Sequence, residues 1–261
     1  MTHVDPIIDL HPWLAWPPGQ ALLDWEQQQL DRLVVDMFGF HAVQLGLPEL
    51  AGLRANRMPH RWLAVDPAYG AWQPPADAPA DVPLALRCEF GALPFPSQSV
   101  DLVVLPHALE LVTDPHDTLR EVERVLVPEG KVVIAGFNPA SLWGLRHRLA
   151  RLGQSAAPVL PQGEFLAYWR LRDWLRLLDL EVEAGCFGCY RPMVRSERTW
   201  QRLQWMEHAG DRWWPVLGAV YLVVAVKRTR GMRLVGKVRR TRVAPARQTA
   251  AVVQREQTTG G

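Results

Sequence analysis

Between two apolar runs, Pro106-His107-Ala108-Leu109-Glu110-Leu111 sets an imidazole and a carboxylate three residues apart. Histidine titrates near pH 6.5 (about), so His107 is the side chain best suited to proton transfer at neutral pH. Its plainer reading is a loop-packing ring, and Glu110 either caps the following segment or orients it. A second group, Asn138, Trp143 and Arg146, follows a later apolar run. Asn138 caps a helix, Trp143 offers an apolar wall, and Arg146 with Arg148 offers positive charge. Such a set suits a lid over an aromatic or anionic ligand, or simply an amphipathic helix covering a sheet. Cys186 and Cys189 have CxxC spacing, but zinc wants four ligands and the only other cysteine, Cys88, is remote, so no metal is expected.

These residues need a scaffold, and the stretch 92–137 supplies its pattern: turn, buried strand, loop, amphipathic helix, Gly turn, second buried strand. Its loops carry a polar and aromatic set suited to a nucleotide-like cofactor. Short apolar runs predict strands at Phe40–Leu45, Trp62–Val65, Leu84–Arg87, Val100–Leu105, Lys131–Ala135, Leu180–Ala184 and Val216–Val226. Helix-face spacings predict helices at Gln20–Phe38, Glu49–Asn56, Ser141–Leu152, Leu166–Leu178 and a Trp-rich one at Glu197–Trp214. Strands alternating with helices imply a mostly parallel sheet covered on both faces. Residues 71–83, rich in Pro, Ala and Asp, read as a loop, and 153–163 as a flexible connection.

The chain of 261 residues is long enough for a full core. Its net charge of +2 hides an asymmetry. From Lys227 onward there are ten Lys or Arg and one acid, Glu256, whereas the first 226 residues hold 19 basic and 26 acidic side chains. An acidic body with a basic tail does not specify a nucleic acid, but the tail is suited to contact anionic surfaces. The N-terminal segment has acids and prolines where a signal peptide needs a basic start and an apolar core. No apolar run is long enough for a bilayer span, and three cysteines make no disulfide framework. A cytoplasmic protein is expected.

The segment Leu93-Pro94-Phe95-Pro96-Ser97-Gln98-Ser99-Val100-Asp101-Leu102-Val103-Val104-Leu105, the loop with His107, Leu109 and Glu110, and Arg124-Val125-Leu126-Val127-Pro128-Glu129-Gly130 lie in one order and spacing. In all three the chain resembles the class I S-adenosylmethionine (SAM) dependent methyltransferases with a type 11 domain. The resemblance spans roughly residues 20–226. It implies a Rossmann-like α/β fold: a seven-stranded, mostly parallel sheet with helices on both faces and a helical insertion before the last strand. It also implies SAM as cofactor, bound across the C-terminal ends of the first four strands. Carried over residue by residue, the cofactor contacts would be Gln44, Gly46, Asp66 on the ribose hydroxyls, Glu89 on the adenine amino group, Phe90, Leu105 and His107. Phe90 either stacks on adenine or caps the core. His107 would be the base, if one exists, and Asn138, Trp143 and Arg146 would stand at the mouth of the acceptor site.

One departure is evident. Where the family has an acidic residue followed by three alternating glycines, this chain has Gln44-Leu45-Gly46-Leu47-Pro48-Glu49-Leu50 and keeps only the first glycine. Pro48 removes a backbone donor and Leu50 adds bulk. The expected organisation is a segment 1–19, a methyltransferase-like domain at 20–228 and a basic tail without a core at 229–261. The expected activity is methyl transfer from SAM to a small-molecule acceptor, the alternative being an inactive binding or scaffolding protein on the same fold.

Overall fold

The computed structural model describes residues 10–67, 84–151, 165–194 and 196–228. The loop at 71–83, the connection at 153–163 and the tail at 229–261 lie outside the described residues.

Seven strands form one sheet in the order β3-β2-β1-β4-β5-β7-β6. They are β1 (His41–Leu45), β2 (His60–Val65), β3 (Leu84–Arg87), β4 (Val100–Pro106), β5 (Leu126–Phe137), β6 (Leu180–Gly188) and β7 (Val220–Lys227). Neighbours are parallel from β3 to β5, and β7 runs antiparallel to both β5 and β6. Strands β4 and β7 are apolar almost throughout because both of their faces are covered. Their alternate side chains enter two separate cores: Leu102, Val104, Leu222 and Val224 on one face, Val103, Leu105, Val223 and Ala225 on the other.

The helices that build these layers are α1 (His11–Leu14), α2 (Pro17–Val34), α3 (Ala108–Leu111), α4 (Pro115–Val125), α5 (Leu142–Arg151), α6 (Tyr168–Leu177), α7 (Glu197–Arg202) and α8 (Trp205–Trp213). Helix α2 lays Leu22, Glu26, Leu30 and Val34 against the first core, at the i, i+4 spacing of one helix face. Leu10, Trp13 and Leu14, ahead of it, are buried in that same core. Helix α4 is fixed at its start by Asp114, whose carboxylate accepts from the main-chain N–H groups of His116 and Asp117, and by Pro115 in the first turn. It presents Leu119, Val122 and Val125 to the second core.

Three predicted elements differ. The Trp-rich helix breaks into α7 and α8 at Leu203-Gln204, and its indoles divide: Trp200 is buried, whereas Trp205, Trp213 and Trp214 are exposed. Val216 and Leu217 lie in an exposed 3-10 turn, because the sheet register with β5 begins only at Val220, after Gly218. Residues 50–55 make successive turns instead of a helix. At the far end of β7, the Lys227 ammonium is buried, donates to the carbonyls of Glu123 and Leu126, and pairs with the Glu123 carboxylate.

Candidate active site

Three loops leave the carboxyl ends of β1, β2 and β4, where the strand order reverses. After β1, Gly46 takes a positive φ of 79° and its N–H donates to Ala64 O at 2.8 Å. A side chain there would meet only ordinary contacts, so the glycine serves the backbone angle and not the space. The following turn is closed by one residue. Gln44 Nε2 donates to the carbonyls of Gly46, Leu47 and Leu50 at 3.1, 3.0 and 2.8 Å, and its Oε1 accepts from Gly52 N at 2.9 Å. Leu47, Leu50 and Leu53 are buried in the first core beneath it. The polar atoms of Gln44 are therefore engaged with its own loop.

The ends of β2 and β3 are side by side, with Val65 opposite Arg87 and Cys88 N donating to Val65 O. Asp66 is half-buried and Glu89 exposed. Cys88 is pushed up to about 11 by burial and by the negative charge of Asp66, so its thiol stays protonated at neutral pH. Phe90 is buried, with its ring against Gly46. It packs in the second core. Leu105 is buried in β4.

His107 follows β4 with a left-handed backbone, φ 53°. It is fully buried between two carboxylates: Nδ1 lies 2.7 Å from Glu110 Oε2 and Nε2 lies 2.8 Å from Glu26 Oε1. Burial alone would favour the neutral ring, but the charges of Glu26 and Glu110 and their hydrogen bonds outweigh it and raise the pKa to about 10. At neutral pH both ring nitrogens therefore donate, and an imidazolium has no lone pair to receive a proton. His107 is thus enclosed as a strut between α2 and the loop after β4. The other Glu110 oxygen accepts from Phe137 N at 2.7 Å, which carries the network from α2 through the β4 loop to the end of β5. Glu26 lies 81 residues away in sequence. Its one sequence signal is an acid on the apolar stripe between Leu22 and Leu30.

The residues expected at the acceptor mouth are each hydrogen-bonded to main chain. Asn138 Nδ2 donates to Val216 O and Gly218 O, and its Oδ1 accepts from Ala140 N. Trp143 is buried, donates to Arg191 O at 2.6 Å and meets Trp13 edge-on at 5.6 Å. Arg146 donates to Met193 O at 2.7 Å. Trp143 and Arg146 fasten α5 to the chain ahead of α7 and Asn138 ties the start of that segment to the turn before β7; beside them lies a cleft of about 390 Å³, lined among others by Pro139, Leu142, Leu145, Arg148, Met206 and Trp214. Cys186 and Cys189 are both held protonated by burial, and no cluster of three or more His, Cys, Asp or Glu among the described residues could hold a metal ion.

Residues 50–134 match the family model of a methyltransferase domain. The uncharacterized protein YafS of Escherichia coli (strain K12) is 33% identical over 221 residues, covering 83% of this chain and 80% of that one. The chain belongs to the class I SAM-dependent methyltransferases. A chain of the Haloferax volcanii complex containing the Trm112 methyltransferase activator shares the fold, with a TM-score of 0.57 and 19% identity, covering 85% of this chain and 99% of that one. A malonyl-[acyl-carrier protein] O-methyltransferase of Halorhodospira halophila is 39% identical over 74 residues, 28% of this chain and only 25% of that one.

A SAM-dependent methyltransferase must seat a ribose diol, an adenine and a cationic methionine end. Two acids at adjacent strand ends fit the first two, since a carboxylate accepts both hydroxyls of a diol at once. For the third, Glu26 Oε2 is a buried carboxylate oxygen with no hydrogen-bond partner. The loop after β1 fits less well. Its leucines are turned into the core, so only main chain around Gly46 is available to a ligand.

Proposed function

We propose that this methyltransferase transfers the methyl group of SAM to a small-molecule acceptor entering the cleft between α5 and the α7–α8 insertion. The observation that carries the reading is that Asp66 and Glu89 follow the ends of β2 and β3, which pair in register as far as Val65 and Arg87, while Gly46, whose N–H donates to Ala64 O, makes the positive-φ turn after β1. Asp66 would hold the ribose hydroxyls, Glu89 the adenine amino group, and the main chain at Gly46 would allow close approach. Bound SAM supplies a sulfonium-activated methyl group, whose transfer depends chiefly on alignment with the acceptor. With His107 protonated and enclosed, the protein's part is to orient and to exclude water. The apolar walls of the cleft and the exposed Arg148 at its edge favour an apolar or aromatic acceptor with an anionic group. The curated O-methyltransferase match covers too little of either chain to choose the acceptor.

Calorimetric titration with SAM and S-adenosylhomocysteine tests this. Micromolar binding, weakened at least tenfold by Asp66→Ala, is the expected result. A folded protein that binds neither compound would overturn the reading in favour of a scaffolding protein, the outcome that the closed Gln44 loop would then explain.

A further inference from the structure

Eight of the twelve large apolar side chains exposed among the described residues fall within 142–149 and 205–217. Helix α5 explains part of this. It buries Trp143 and His147, yet its opposite face carries Leu142, Leu145 and Leu149 at i, i+3, i+7 in solvent. A surface helix normally turns its apolar stripe inward, and this one has an apolar stripe on both sides. The cleft places the outward leucines across from the insertion, since Leu142 and Leu145 line one wall and Trp214 and Leu217 the other. Trp213, beside Trp214, is 72% exposed. A patch of this kind marks an interaction surface.

Its charge selects the partner. Helix α5 carries Arg146, Arg148 and Arg151 and no acid, while the charges of α7 and α8 cancel, with Arg198, Arg202 and Arg212 against Glu197, Glu207 and Asp211. Leucines and tryptophans flanked by uncancelled arginines are the composition that rests at a lipid headgroup boundary, where indoles straddle water and acyl chains. We propose that the face formed by α5 and the end of the insertion docks on an anionic lipid bilayer. Among the described residues no helix is long and apolar enough to cross one, so the attachment is peripheral. The proposal does not depend on which acceptor the cleft takes.

Flotation of the full chain with phosphatidylcholine vesicles, with and without phosphatidylglycerol, tests it. Leu149→Asp and Trp213→Ser are the informative variants, because neither residue lines the cleft. The chain is expected to float with the anionic vesicles and to stay partly bound at high salt, where charge is screened but apolar contact is not. Each variant should lower partitioning about tenfold, as expected from losing one buried large side chain. Trp169→Ser, which removes another exposed indole, on α6, should leave partitioning unchanged, and all variants should keep the parent's far-UV circular dichroism. The basic residues from Lys227 onward are identical in every variant. If Leu149→Asp and Trp213→Ser float as the parent does, those basic residues or other charges bind the lipid and the proposal fails. It fails equally if the parent forms a dimer without lipid that Leu149→Asp dissociates, since a second copy would then cover the face.

Discussion

The loops after β1 and β4 stand side by side at the reversal of strand order, and each is held by one buried side chain, but the two use opposite chemistry. Gln44 closes its loop with a neutral amide that touches only nearby main chain. His107 closes the other with charge, reaching a helix 81 residues earlier and, through Glu110, the end of β5. The neutral clasp sets the shape of one turn and is indifferent to pH. The ionic clasp joins three parts of the molecule at the cost of enclosing charge, which makes it strong when complete and damaging when one member is missing.

The sharpest way to break this contrast is Glu110→Ala, which strips His107 of a carboxylate and Phe137 N of its acceptor. We expect a loss of about 3–5 kcal/mol in urea unfolding, the range for breaking a buried ion pair. Next in size is the pH response. The folded pKa of His107 is about 10 against an ordinary 6.5, so its stabilisation is complete below pH 6.5 and lost as pH rises through 10. Stability should fall by roughly 1.4 kcal/mol per pH unit between those limits, and urea midpoints at pH 7, 8 and 9 would show it. A His107→Asn variant should flatten that dependence, while Gln44→Leu should leave it intact. Gln44→Leu itself should cost about 1–3 kcal/mol, because Gly52 N and the clasped carbonyls lose a buried partner. A larger cost than Glu110→Ala would invert the comparison. Asp66→Ala should be smallest in stability, within roughly 1 kcal/mol, with its main effect on cofactor affinity.

Much of the fold was legible in the sequence, because buried parallel strands such as β4 are continuous apolar runs between turn signals. The errors arose where an apolar run did not coincide with one element. Val216 and Leu217 extend the run of β7, yet Gly218 separates the 3-10 turn from the strand. Leu47, Leu50 and Leu53 have a spacing that suits one helix face and successive turns alike. The positions of Asp66 and Glu89 just after β2 and β3 were readable because strand ends fix where a following acid must lie. The part played by His107 was not, since the partner that sets its charge belongs to α2 and only packing brings Glu26 to it. The anchoring of Trp143 and Arg146 was hidden for the same reason: their hydrogen bonds to Arg191 and Met193 exist only once the chain beyond β6 has folded back.

The position of β7 has a consequence for how the protein is made. The last strand among the described residues lies between β5 and β6, not at an edge, and Lys227 is its anchor. A nascent chain emerging from the ribosome therefore carries β5 with one open edge, and β6 with no strand beside it, until residue 220 and its successors are free to insert. Unpaired strand edges recruit other chains. Synthesis halted just short of Val220 should consequently yield aggregation-prone fragments, whereas a chain released only eight residues later can shut the sheet in one step.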